Sequence, residues 1–336
     1  MGNITLEQRI DEEIAQQLLH EKRKKQAQSG WAPFVLDAII AAIVLCVFAL
    51  FHHVIPFTGE QPQPVTPPTH QDTTVPSQPA DAHPFADKFT DTVVKTENSY
   101  TSQNIAITVE KRTQGSDKSL VTYYVADVYL RSTDYFRTAF AQDKFGQGIK
   151  EDLLPIANRH NAILATSGDY YGMHANRSVI RNGTVYRQKS GDGDVCVLYR
   201  DGTMKIVYDK EKFDAAAEVE KGAWQAWSFG PSLFKENGDT LTSYSGYLAS
   251  KHPRCAIGYY EPGHYVFVLV DGRADNYSAG LTMVALSNLM KELNCTVAYN
   301  LDGGQTAQMA FDGNIVNQPY KNGRVVSDIL YIGEVE

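Results

Sequence analysis

The chain has 336 residues and a formal net charge of −8, from 31 Lys+Arg against 39 Asp+Glu. From residue 88 onward 26 Lys+Arg face 29 Asp+Glu, so no basic surplus attracts a phosphate backbone, and nucleic acid is excluded as a partner. Cys46, Cys196, Cys255 and Cys295 lack the spacing of a zinc knuckle or a redox pair, and the three beyond residue 88 allow at most one disulfide.

Residues 1–30 are polar and charged. Residues 4–28 contain no Pro or Gly, and Ile10, Ile14, Gln17 and Leu18 follow helical spacing, which predicts a short cytoplasmic helix. Ala32–Phe51 is an apolar run whose one charge is Asp37. At 1.5 Å per residue it spans roughly 30 Å, the depth of a bilayer core. It is therefore expected to be a transmembrane helix within 31–55. Lys22-Arg23-Lys24-Lys25 precede it, and no Lys or Arg follows between His52 and Asp87. The positive-inside rule then puts the N-terminus in the cytoplasm and the C-terminal domain outside, in a single-pass cell-membrane protein. Residues 56–87 hold eight of the chain's 14 prolines and read as a disordered Pro/Thr-rich linker, because Pro blocks helix and sheet ladders.

Residues 88–336 have the composition of one globular domain. Ile105–Lys111 and Leu120–Leu130 read as strands, rich in β-branched and aromatic residues. Ile149–His160 reads as a helix and Ala162–Thr166 as a buried strand. Asn182-Gly183, Asp201-Gly202 and Asp312-Gly313 mark hairpins. Ala256–Tyr260 and Tyr265–Val270 flank a Pro262-Gly263 turn. Thr282–Leu293 is the clearest helix, with Thr282 as N-cap and Leu286, Leu289, Met290 and Leu293 on one apolar face. Val297–Leu301 is a further buried strand. Hairpins with a few helices between them predict an α+β domain around a mixed, largely antiparallel sheet with packed helices.

Polar residues concentrate at four strand ends: Thr166–Tyr171, Pro253–Cys255, Val270–Arg273 and Asn300–Thr306. Glycines there, Gly168, Gly272, Gly303 and Gly304, let the backbone approach a ligand. Singly, each Asp-Gly is as consistent with a plain turn. Asp192-Gly193-Asp194 lacks the rest of a calcium loop. His160, His174, His252 and His264 have no metal spacing, so no metal or cofactor is implied.

In their order, these segments resemble the phosphodiester glycosidase family, whose pattern runs R-T-A-I-G, D-G-R, S-x-G-L-T, N-L-D-G-G-G-S and V-N-x-P. Here the matching stretches are Arg254–Gly258, Asp271–Arg273, Ser278–Thr282, Asn300–Thr306 and Val316–Pro319. Ala165–Tyr171 and Phe229-Gly230-Pro231 extend the likeness upstream, so that it covers roughly residues 120–333. Ser167 stands where the family has Asn, Cys255 where it has Thr, and Gln305-Thr306 where it has Gly-Ser. The resemblance implies a hydrolase that cleaves the C1–O bond of a sugar-1-phosphodiester in a cell-envelope or exopolysaccharide glycan. Arg254 and Arg273 suit the phosphate, each with a planar fork of donors. Asp302, Asp271 and Asp169 are the candidates for the carboxylate that activates water or faces the anomeric centre. Ser167, Asn300, Gly303, Gly304 and Thr306 complete the expected substrate contacts. A non-catalytic glycan-binding domain and a phosphodiesterase attacking phosphorus are the alternatives. No protein partner is indicated.

Overall fold

A computed structural model describes residues 16–24, 83–191, 193–209 and 211–335. Two units divide the chain, Met1–Gln63 and Pro64–Glu336. In the first, residues 16–24 form an exposed helix, α1.

The second unit is built on three sheets, and every strand pair in them is antiparallel. The α+β class with packed helices therefore holds, and the largely antiparallel sheet that was expected is three sheets with no parallel pair among the described strands. The largest sheet runs in the order β1 (Val94–Lys95), β2 (Ser99–Thr101), β3 (Ile105–Gln114), β4 (Val121–Leu130), β13 (His264–Val270), β12 (Arg254–Glu261), β14 (Val297–Leu301). A second runs β10 (Met204–Val207), β9 (Val195–Tyr199), β11 (Ala223–Trp227), β7 (Arg177–Arg181), β8 (Thr184–Ser190). The third runs β16 (Asn314–Ile315), β15 (Met309–Phe311), β6 (Leu164–Ser167), β17 (Asp328–Ile332), β5 (Phe136–Phe140).

Strand periodicity explains how the sheets pack. In β13, Tyr265, Phe267 and Leu269 join the core shared by all three sheets. The alternate residues Val266, Val268 and Val270 pack instead with Met283, Leu286, Leu289 and Met290 of α4 (Met283–Glu292). Both faces are buried, which is why the strand is apolar throughout rather than alternating. The other sheets are covered in the same way. Leu153, Ile156 and Ala157 of α2 (Leu153–Arg159) cover the third sheet, and Ala215 of α3 (Ala215–Glu220) packs with the second. Thr282 caps α4 by accepting the Ala285 N–H at 3.1 Å. α2 begins later than expected because Pro155, with no N–H to donate, fits only a first turn. The four expected hairpins are formed, at Asn182-Gly183, Asp201-Gly202, Pro262-Gly263 and Asp312-Gly313. Cys196, Cys255 and Cys295 are free and buried.

The membrane anchor needs correction. No helix among the described residues is long and apolar enough to cross a membrane. The ten residues of α4 reach only about half the roughly 30 Å required. The expected span at 32–51 and residues 56–82 of the expected linker lie outside the described residues; the linker's last five residues, 83–87, are described and lead into a 3-10 turn at Ala86–Lys88. The transmembrane helix at 31–55, the membrane as a partner through 32–51 and the single-pass localisation are not carried further.

Candidate active site

The register of the largest sheet gathers one end of three strands. Arg254 opens β12 opposite Val270, the last residue of β13, and Cys255 lies opposite Leu301, the last residue of β14. Arg254, Asp271 and Asp302 therefore emerge at the same edge. The end of β6 meets them there: the Asp302 N–H donates to the Gly168 carbonyl at 3.0 Å. The Asp302 loop lies close on β12. A Cβ at Gly303 would sit 2.9 Å from the Pro253 carbonyl oxygen, so only glycine fits.

A cavity of about 240 Å³ opens at this edge, and Arg254, Arg273, Arg324, Asn300, Asp302, Phe229 and Tyr247 are among the residues lining it. Asp302 is its one carboxylate among the described residues. Burial pushes that carboxyl up to about 6, although a hydrogen bond from Thr306 and the charge of Arg324 pull it down. None of the three arginines has a carboxylate partner among the described residues. Arg254 is buried and donates from Nε to the Leu281 carbonyl at 3.0 Å, and from Nη2 to the carbonyls of Leu248 at 2.8 Å and Ser250 at 2.9 Å. Its Nη1 has no hydrogen-bond partner among the described residues. Burial pushes its pKa down to about 10, and the neighbouring Arg273 adds to this; it is still a cation at neutral pH. Arg273 holds a left-handed φ of 58°, uncommon for a residue with a side chain. Its Nη2 meets His252 Nδ1 at 3.0 Å and donates to the Tyr247 hydroxyl, and its guanidinium lies 5.2 Å from the Tyr320 ring centre. Arg324 lies over the Tyr170 ring at 5.8 Å.

The other expected site residues divide into cavity and scaffold. Asn300 faces the cavity: its Nδ2 donates to the Gly230 carbonyl at 2.7 Å, and its buried Oδ1 has no partner. Gly303 and Gly304 line the floor. Thr306 is buried; its hydroxyl donates to the Gly303 carbonyl at 2.6 Å and steadies the loop. Ser167 is also buried, donating to the Thr306 carbonyl and accepting the Gln308 N–H at 3.3 Å. The Asp271 carboxylate is fully occupied. Asn317 Nδ2 and the Tyr277 hydroxyl donate to it at 2.8 Å each, and the Gln318 N–H at 3.0 Å. Asp169 is buried against Arg181, away from the cavity lining.

Sequence reasoning missed Arg324, Tyr247 and His252 in the cavity wall. Arg324 follows Asn322-Gly323, the same glycine-beside-arginine pattern that singled out Asp271-Gly272-Arg273, and that pattern was a usable signal. Tyr247 lies in a segment with no motif; His252 directly precedes Pro253-Arg254-Cys255, but its lack of metal spacing gave no signal.

A buried carboxylate and three arginines, none with a carboxylate partner among the described residues, share one cavity at a sheet edge, a composition suited to an anionic ligand. The phosphodiester glycosidase family model matches residues 160–333. The chain belongs to the phosphodiester glycosidase family. It is 30% identical over 221 residues to the SPbeta prophage-derived uncharacterized protein YomE of Bacillus subtilis (strain 168), a match over 59% of this chain and 34% of that protein. The chain thus spans about a third of the length of that relative. Its fold is similar to the zebrafish N-acetylglucosamine-1-phosphodiester alpha-N-acetylglucosaminidase catalytic domain auto-inhibited by pro-peptide. That match has a TM-score of 0.57 and 19% identity, and covers 69% of this chain and 84% of the other.

Proposed function

We propose that this domain hydrolyses a sugar-1-phosphodiester at its glycosidic C1–O bond. The observation that carries the reading is the presence, in one cavity, of Asp302 and three arginines that have no carboxylate partner among the described residues. Water attacks the anomeric carbon, and the Asp302 carboxylate takes its proton. The C1–O bond breaks and its electron pair leaves with the phosphate. The phosphate enters as a monoanionic diester and departs as a monoester with a second ionisable oxygen. Negative charge therefore grows on the leaving group as the bond breaks. Fixed guanidinium groups attract the departing phosphate more strongly than the bound substrate, which is the differential binding that accelerates a reaction. Phosphate is a good leaving group, so a second carboxyl acting as general acid is not required. Asn300, in the cavity lining, is the candidate to meet a sugar hydroxyl.

Three results are expected. In labelled water the new oxygen should appear on C1 of the sugar, read by mass spectrometry; label on phosphate would move the reaction to phosphorus. Only ionised Asp302 accepts a proton, so kcat/KM should fall about tenfold per pH unit below about 6, the value to which burial pushes this carboxyl. A flat rate between pH 4 and 7 would remove Asp302 from the chemistry. Arg254→Lys should raise KM about tenfold or more, because a lysine amine cannot both hold the Leu248, Ser250 and Leu281 carbonyls and reach the phosphate. An unchanged KM would place the phosphate elsewhere.

A further inference from the structure

Behind the cavity lies an ion cluster that no step above uses. Arg181 is 1% exposed, and the side chains of Asp169 and Asp328 are wholly buried. Arg181 Nη2 stands 2.7 Å from Asp169 Oδ1 and 2.9 Å from Asp328 Oδ2. Its Nε donates to Asp328 Oδ2 at 3.2 Å, and its Nη1 to the carbonyls of Ile180, at 3.0 Å, and Ala226. The cluster is wired to the cavity through main chain. The Asp169 N–H donates to Asp328 Oδ1 at 3.2 Å, and the Gly168 N–H to the Asp328 carbonyl at 2.9 Å. The Gly168 carbonyl then accepts the Asp302 N–H at 3.0 Å. Asp169 Oδ2 accepts the Ser228 N–H at 3.0 Å, next to Phe229 in the cavity wall. There is no slack in this wiring: a Cβ at Gly168 would lie 2.3 Å from Asp328 Oδ1.

Two carboxylates sharing one guanidinium in a dry interior are poor material for stability alone, since apolar replacements of similar volume are often at least as stable. What the cluster does is join β17, β7 and the end of β11 to the turn that carries the Asp302 loop. We propose that Arg181 and Asp328 are positioning residues for Asp302, holding Asp169 and the Gly168 turn to which the Asp302 main chain is bonded. The inference rests on the reading of Asp302 as the acting carboxylate.

Electrostatics point the same way. The charge of Asp169 is one of the influences that raise Asp302, opposed by Arg324. Asp328 is itself raised, by burial first and then by Asp169. The other groups facing Asp169 are Arg187, His174, Tyr171 and Tyr299.

The test is made on the full chain. Arg181→Lys keeps the charge but cannot reach both carboxylates and both carbonyls at once. It should lower kcat about ten- to hundredfold with KM within about twofold, as expected for a displaced catalytic group. A folded Arg181→Lys with kcat within twofold of the parent overturns the proposal. If that variant fails to fold, Asp328→Asn decides on the same readout and the same criterion. Asp169→Asn can still accept the Ser228 N–H and removes the charge that faces Asp302. The Asp302 carboxyl should then titrate about half a pH unit or more lower, followed by carbon-13 NMR and assigned with Asp302→Asn. An unmoved titration overturns the electrostatic part. The NMR readout needs no turnover. An inactive parent whose Asp302 still shifts would therefore sink the hydrolase reading, and the positioning role with it, and keep only the electrostatic coupling of Asp169 to Asp302.

Discussion

Asp302→Asn is expected to remove turnover and at the same time make the protein more stable at neutral pH. The loss should be about a thousandfold or more in kcat, within the range that general-base catalysis contributes. The gain in stability follows from linkage. The fold holds the carboxyl at about 6 against an ordinary 3.8, so it prefers the protonated form. Its contribution to stability is present below the ordinary value and is lost as pH rises from about 4 to about 6. At about 1.4 kcal/mol per pH unit, the ionised carboxylate costs the folded state roughly 3 kcal/mol at pH 7. Asparagine carries no charge to desolvate and keeps an oxygen for the Gly303 N–H. Chemical denaturation should show the variant more stable by about 2–3 kcal/mol at pH 7, with the difference vanishing near pH 4. An inactive variant that is also less stable at pH 7 would mean that Asp302 supports the loop and stores no charge for catalysis.

Such trade-offs bear on what the sequence could disclose. The hairpins were legible because Asn-Gly, Asp-Gly and Pro-Gly turns are local chemistry. So was α4, whose cap and apolar stripe are complete within Thr282–Leu293. β17 was not read, because Asp328 opens an apolar strand whose meaning lies in Arg181, far away in sequence. The ordered motifs gather at one edge of the sheet, yet most of their polar residues hold the backbone in place. Ser278 donates to the Asp271 carbonyl at 2.6 Å, Thr282 caps α4, and Asn317 bridges Asp271 and the Ala307 carbonyl at 2.8 and 3.1 Å. A motif marks a constrained position without saying whether the constraint is a substrate or a neighbouring strand. Asp271 and Asp302 each precede glycine at a strand end, and only their three-dimensional partners tell them apart.

Asp271→Ala should therefore act mainly on stability, where Asp302→Asn acts on chemistry. The Asp271 carboxylate is 1% exposed and gathers Tyr277, Asn317 and the Gln318 N–H. Removing it leaves these donors facing a void. Asn317 keeps the Ala307 carbonyl; the Tyr277 hydroxyl keeps only Tyr124 at 3.4 Å, and the Gln318 N–H keeps nothing. Orphaned donors cost about 1–3 kcal/mol each. Burial pushes the Asp271 carboxyl up, so losing its charge offsets part of that. A net loss of about 2–4 kcal/mol is expected, or a Tm lower by roughly 5–15 °C for a domain of this size. The released segment leads to Tyr320, whose ring lies beside Arg273, so KM should rise. The decisive quantity is kcat measured well below the lowered Tm. If Asp271 is scaffold, kcat stays within about tenfold of the parent once the protein is folded and saturated, because Asp302 is still in place. A thousandfold loss of kcat with an unchanged Tm would return Asp271 to the chemistry and leave its three donors as the means of orienting a second catalytic carboxylate.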